Sequence, residues 1–164
     1  MITVGVGECA VSARAEDTLV TYGLGSCIGV TIWDPEVKVG GMLHFLLPDS
    51  QGDLAKAKEH PGLYADTGIP LLFRKAYQLG ADKRRLVVRV AGGAHVLDGE
   101  GPLHIGKRNY LAMKKVFWKA GVMIHGREVG GAVSRTMRLE VGSGRVMLQQ
   151  GGAEAREIEM RHCA

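Results

Sequence analysis

The first forty-odd residues carry no apolar stripe at helical spacing. β-Branched residues dominate there and glycine or Asp34-Pro35 punctuates them, so strands are expected at about 2–7, 18–22, 27–33 and 38–46. After Pro48 the polar stretch Asp49 to His60 is too long for a hairpin turn and reads as a surface loop that could cover a site beside His44. A helix is expected over about 63–79, because Leu72, Ala76 and Leu79 recur at helical spacing and Gly80 follows; Pro70 kinks it or starts its main part.

Leu86, Val88 and Val90 alternate into a buried strand at about 85–91, closed by Gly92-Gly93. A second helix over about 107–120 places Tyr110, Met113, Phe117 and Ala120 on one face, where they read as core, with Lys114, Lys115 and Lys119 elsewhere. Strands at about 122–126, 134–141 and 145–149 follow, the last two joined by the hairpin signal Gly142-Ser143-Gly144. Beyond Gln150 a frayed tail is expected, with a short polar helix at about 153–160 as its possible content.

Composition narrows the class. The chain has 164 residues, 46% hydrophobic and 23% charged, which suits one ordinary globular domain and not disorder. No break in composition divides it, so the expected organisation is a domain over 1–150 and a C-terminal tail over 151–164. The 24 glycines, several in pairs, fit many tight turns and close backbone approaches. Cys9, Cys27 and Cys163 are odd in number and lack the spacing of a zinc or redox motif, so a reducing, cytoplasmic setting is expected. No signal-peptide pattern and no apolar run of about 18 residues is present, so membrane insertion is not expected. A net charge of +4 favours an acidic partner, yet no basic run with interleaved aromatics marks a nucleic-acid groove; Lys83-Arg84-Arg85 reads as a solvated strand start.

Candidate chemistry centres on Cys27, which follows the glycine turn Leu24-Gly25-Ser26, and on His44 in the next apolar run. A thiol needs a base or a positive environment to act as a nucleophile near neutral pH, and an imidazole supplies one. Backbone N–H groups at the 25–27 turn, with Gly25 and Ser26 as its residues, could hold a developing oxyanion. The plainer readings stand beside this: a cysteine ahead of Ile28, Val30 and Ile32 is ordinary core, a lone histidine in an apolar run is usually packed and satisfied, and Thr21 is an ordinary strand threonine. His60, His95, His104, His125 and His162 fit a base less well. Gly5-Val6-Gly7 and Gly23-Leu24-Gly25 lack the third glycine of a dinucleotide loop, and Ala91-Gly92-Gly93-Ala94 lacks the Lys-Ser/Thr of a phosphate loop, so no nucleotide cofactor is expected.

Four motifs in order, Tyr22-Gly-Leu-Gly-Ser-Cys27, Gly40-Gly-Met-Leu-His44-Phe-Leu-Leu-Pro48-Asp49, Ala91-Gly-Gly-Ala94 and Ile105-Gly-Lys-Arg-Asn109, resemble the CheD family of chemoreceptor glutamine deamidases in bacterial chemotaxis. The likeness runs from about Met1 to Gln150. It implies an α+β fold of mixed β-sheet layers with helices packed outside, similar to the catalytic domain of cytotoxic necrotizing toxins. It implies hydrolysis of receptor glutamine side chains to glutamate, with Cys27 as nucleophile, His44 as base and Thr21 as the third catalytic residue, and with no metal or organic cofactor. Gly92, Gly93 and Asn109 fall in segments that the family uses around its site and are candidates for the substrate rim. Gly130-Gly131 and Arg135 match a late family motif, in which Glu128 stands where aspartate is expected. The implied partners are chemoreceptor cytoplasmic domains and the phosphatase CheC. A non-catalytic adaptor that binds receptor or CheC is the alternative, and a cysteine protease or small-molecule amidase is the third.

Overall fold

A computed structural model describes residues 1–95 and 104–160. Its described strands form two mixed sheets. The first runs in the order β1 (Ile2–Thr3), β3 (Thr18–Leu24), β8 (Arg135–Glu140), β9 (Val146–Gln150), β10 (Arg156–Glu157). The second runs β2 (Cys9–Ser12), β5 (Val39–Phe45), β4 (Ile28–Asp34), β6 (Val87–Gly92), β7 (Gly126–Val129). Each contains one parallel pair, β1 with β3 and β6 with β7, among antiparallel neighbours. With helices α2 (Ala65–Gln78) and α3 (Ile105–Ala120) outside, the architecture is α+β.

The second sheet is the middle layer, which explains the unbroken apolar runs of β4 and β5: both faces are covered. On one face Ile28, Val30, Ile32, Leu43 and Phe45 pack against Ile69, Leu72 and Phe73 of α2 and Met113 and Phe117 of α3. On the other, Cys27, Met42 and Ala91 pack against Leu19, Leu24, Met137 and Leu139 of the first sheet. Since successive strand side chains point to opposite faces, odd positions of β5 look toward the helices and even ones, His44 included, toward the first sheet.

Several expected elements change. The strand expected at 2–7 ends at Thr3, because Gly7 (φ +78°) turns the chain from the first sheet into the second, where Cys9–Ser12 pairs with β5. A Cβ on Gly7 would lie 2.6 Å from Leu63, so the turn also packs tightly. The loop at 49–60 contains a short helix, α1 (Leu54–Glu59), capped by Asp53, whose carboxylate accepts from the Lys56 N–H at 3.0 Å. Pro70 lies inside α2 without starting it. The strand expected at 122–126 is displaced to Gly126–Val129, while Val122 and Ile124 fill the helix-side core.

The segment past Gln150 is neither frayed nor helical as far as Met160. Gly151 (φ +55°) turns the chain back, Arg156 pairs with Leu148, and Ile158 is 1% exposed with its N–H on the Val146 carbonyl. An unpaired edge on β9 and one buried isoleucine outweigh the weak helical propensity of a polar segment this short. Cys163 and His162 lie outside the described residues.

Candidate active site

The site is assembled at one end of the middle sheet. β5 pairs with β4 so that His44 stands opposite Gly29. Cys27, two residues before Gly29, lies on the same face as His44, one diagonal step away, a separation of about 7–8 Å between Cα atoms. Gly29 lets the first sheet pack closely on this face: a Cβ there would lie 2.9 Å from Met137 Sδ and 3.0 Å from Leu24.

Thr21 reaches the site from the other sheet. Its Oγ1 lies 2.7 Å from His44 Nδ1 and donates its proton to the Val4 carbonyl at 2.6 Å. A hydroxyl has one proton, so with that proton on Val4 the oxygen accepts from Nδ1–H. The network therefore assigns the tautomer: the proton sits on Nδ1, and Nε2 carries the basic lone pair. Nε2 is buried and makes no hydrogen bond among the described residues, the Cys27 thiol included. The Val4 carbonyl is a participant that sequence reasoning missed, since a backbone acceptor leaves no side-chain signal.

His44 is 1% exposed, and burial pushes its pKa down to about 4. Cys27 is 8% exposed; burial raises its thiol pKa, with its own backbone N–H acting the other way. Both groups are therefore neutral near pH 7. The resting state is a neutral thiol and a neutral imidazole on one face of the sheet.

The turn before Cys27 is locked to the β6 end. Gly93 N–H donates to the Cys27 carbonyl at 2.9 Å and Ala94 N–H to the Gly25 carbonyl at 2.8 Å. Gly92 (φ +115°) tolerates no side chain, because a Cβ would lie 2.2 Å from the Cys27 carbonyl oxygen. The expected oxyanion donors separate here. Gly25 N–H is already taken by the Gly23 carbonyl at 2.9 Å, whereas those of Ser26 and Cys27 donate to no other residue among the described ones.

Gly92 and Gly93 thus sit against the turn before Cys27 as backbone. Asn109 does not line a rim: it is fully buried, and its Nδ2 donates to the Ser26 carbonyl at 2.9 Å and the Leu46 carbonyl at 3.0 Å. The expected rim over 92–109 falls partly outside the described residues. Beside the Gly93 loop a pocket of about 280 Å³ is lined by His95, His104, Lys107, Tyr110 and Gly131, among others. His125 instead serves the fold, accepting from the Val88 N–H at 3.0 Å. Among the described residues no group of three His, Cys, Asp or Glu side chains could hold a metal ion, and no helix is long and apolar enough to cross a membrane.

A family model described as CheD chemotactic sensory transduction matches residues 46–150. A protein of Solibacter usitatus, named a probable chemoreceptor glutamine deamidase CheD, is 52% identical over 153 residues, covering 93% of this chain and 90% of its own. A protein of Syntrophus aciditrophicus with the same name, numbered 1, is 49% identical over 96% of this chain and 98% of its own. One from Pyrococcus abyssi is 38% identical over 91% of each chain. Coverage of 93–96% leaves too few residues outside the alignment to miss the stretch from Thr21 to His44. Matched by the family model over more than half its length and by relatives at 52% and 49% identity along nearly all of it, this chain belongs to the CheD family.

Proposed function

We propose that this chain hydrolyses the side-chain amide of selected glutamines on chemoreceptor cytoplasmic domains, giving glutamate and ammonia, with Cys27 as nucleophile, His44 as base and acid, and Thr21 as the residue that orients the imidazole. The names of its relatives supply the reaction and the substrate class. The observation that supports the residue assignment is the chain Val4 carbonyl, Thr21 hydroxyl, His44 Nδ1, which leaves a buried Nε2 lone pair on the face that Cys27 shares.

In this mechanism Nε2 takes the thiol proton as sulfur bonds to the amide carbon, and the carbonyl electron pair moves to oxygen, facing the N–H groups of Ser26 and Cys27. When that oxyanion collapses, the C–N bond breaks and the imidazolium returns its proton to the leaving nitrogen, releasing ammonia and a thioester. Water then gives a proton to Nε2 and adds to the thioester carbon; the C–S bond breaks, the imidazolium reprotonates sulfur, and the carboxylic acid leaves and loses its proton to solvent. Thr21 orients the ring and, polarised by the Val4 carbonyl, accepts from the imidazolium, but it carries no charge to neutralise it. Activation is modest and turnover slow.

The cytoplasm is the setting that this substrate requires, and CheC is the further partner implied by the family resemblance. The layered α+β architecture supports reading the fold as kin to the cytotoxic necrotizing toxin catalytic domain. The test is incubation with a receptor cytoplasmic domain followed by peptide mass analysis. A gain of about one mass unit at a glutamine supports deamidation; a cut chain would mean proteolysis, and binding with neither would mean an adaptor.

A further inference from the structure

The first turn of α3 is pressed against the Gly93-Ala94 segment that braces the turn before Cys27. A Cβ on Gly106 would lie 2.5 Å from the Ala94 carbonyl oxygen and 2.6 Å from Gly93, so only glycine permits this approach. Three residues on, Asn109 enters the point where β4 and β5 end. Both of its partners are carbonyls, so its NH2 must face them, and both of its protons are used.

One of those carbonyls belongs to the peptide that links Ser26 to Cys27. In a planar trans peptide the C=O and the following N–H point in opposite directions. Holding the Ser26 carbonyl toward α3 therefore aims the Cys27 N–H away from it. The β6 end completes the arrangement. Gly93 N–H binds the Cys27 carbonyl, but the positive φ of Gly92 and Gly93 takes the chain out of strand geometry, and the reciprocal bond from Cys27 N–H is not made. Among the described residues the Cys27 N–H then has only its own side chain to act on, an uncommon state for a strand-edge N–H that persists only where neighbours fix it.

We propose that Asn109 is a positioning residue of the oxyanion site: its side-chain amide fixes the Ser26–Cys27 peptide so that the Cys27 N–H stays free for the oxyanion. The inference rests on the reading of Cys27 as nucleophile. The second bond, to Leu46, two residues after His44, ties the same amide to the strand that carries the base and keeps the two ends of the site in register.

The experiment compares Asn109→Ala, Asn109→Ser and Asn109→Asp with the parent in two reactions. Ammonia release from a receptor cytoplasmic domain passes through an oxyanion. Alkylation of Cys27 by iodoacetamide, followed at the Cys27 peptide by mass, needs the thiolate but forms no oxyanion. The expected result is a fall in kcat of about 10- to 100-fold, somewhat less than loss of a whole oxyanion donor, with KM and the alkylation rate within about twofold of the parent. Parent-like kcat overturns the inference, and so does an alkylation rate that falls as far as kcat, since Asn109 would then act through the thiol or the fold.

Should the variants not fold, the parent itself decides. A peptide with an aldehyde in place of the glutamine amide, bound covalently to Cys27, should shift the Cys27 amide resonance downfield, and an unmoved resonance overturns the inference. Cys27→Ala is measured alongside. Ammonia release by that variant would overturn the functional reading itself, whereas its loss together with full activity in the Asn109 variants would overturn the positioning role alone.

Discussion

The hydrogen bond between Thr21 and His44 crosses from one sheet to the other: Thr21 lies in β3 of the outer sheet, His44 in β5 of the middle one, and their polar atoms are 2.7 Å apart. The His44 imidazole is thus held in its tautomer by sheet-on-sheet packing and not by a neighbour in sequence. Removing the imidazole by His44→Ala should lower deamidation roughly 10²–10⁴-fold, the usual range for a positioned acid–base group. Thr21→Ala should cost less, because Nε2 remains available in a less ordered ring. Steady-state ammonia release by the two variants checks the order; a larger loss at Thr21 would require another base.

Cys27→Ala removes the proposed nucleophile and little volume, so ammonia release should vanish while the fold and receptor binding persist. Cys9 is the internal comparison, since burial raises its thiol to about 11 and, although its strand pairs with β5, it packs on the helix side of the middle sheet, the face opposite His44. Cys9→Ala should deamidate receptor glutamine at the parent rate, as measured by the one-unit mass gain.

His44 makes stability pH-dependent with a defined sign. Its folded pKa is about 4, below the ordinary 6.5, so above 6.5 the ring is neutral in both states and contributes nothing. As pH falls from about 6.5 to about 4 the unfolded chain takes up a proton that the folded chain refuses, and stability drops by roughly 3 kcal/mol before levelling off. Denaturant midpoints for the parent and for His44→Ala across this range check it. The parent should lose stability relative to the variant, and parallel curves would place the titration elsewhere.

Gly106→Ala separates helix propensity from packing. Propensity alone favours alanine by up to about 1 kcal/mol. The new methyl would instead meet the backbone of Gly93 and Ala94 at 2.5–2.6 Å, and neither atom can yield as a side-chain tip would. The expected outcome is a net loss of about 1–3 kcal/mol, the cost of overpacking, read as a lower thermal midpoint, with a fall in activity as α3 carries Asn109 away from Ser26. An unchanged midpoint would show that the helix can withdraw freely.

The substrate should be a glutamine on a folded helical surface. At equal concentration, the intact receptor cytoplasmic domain should turn over faster than an unstructured receptor peptide, and free glutamine slowest, because Cys27 is only 8% exposed and recognition is expected to come from the protein surface around it. Comparable turnover of all three would favour a small-molecule amidase.

The sequence by itself determined the elements whose signals are local. The apolar runs of β4 and β5, the helical spacing in α2 and α3, and a cysteine directly after a glycine turn are each written within one window of chain, and the structure keeps them to within a residue or two. The family motifs also pointed to Thr21, Cys27 and His44, which the structure brings to one end of the sheets. What the tertiary structure decided is non-local. The strand expected at 2–7 stops at Thr3, and a strand not expected from the sequence, Cys9–Ser12, follows in the other sheet after the turn at Gly7, which packs against Leu63, far along the chain. The segment past Gln150 becomes a strand because β9 offers an edge. Asn109 looks like a rim residue in the sequence and is a buried brace in the fold, since its partners are the carbonyls of Ser26 and Leu46. The Val4 carbonyl that fixes the tautomer of His44 leaves no sequence trace, because backbone acceptors are the same at every position and only packing selects which one meets a side chain.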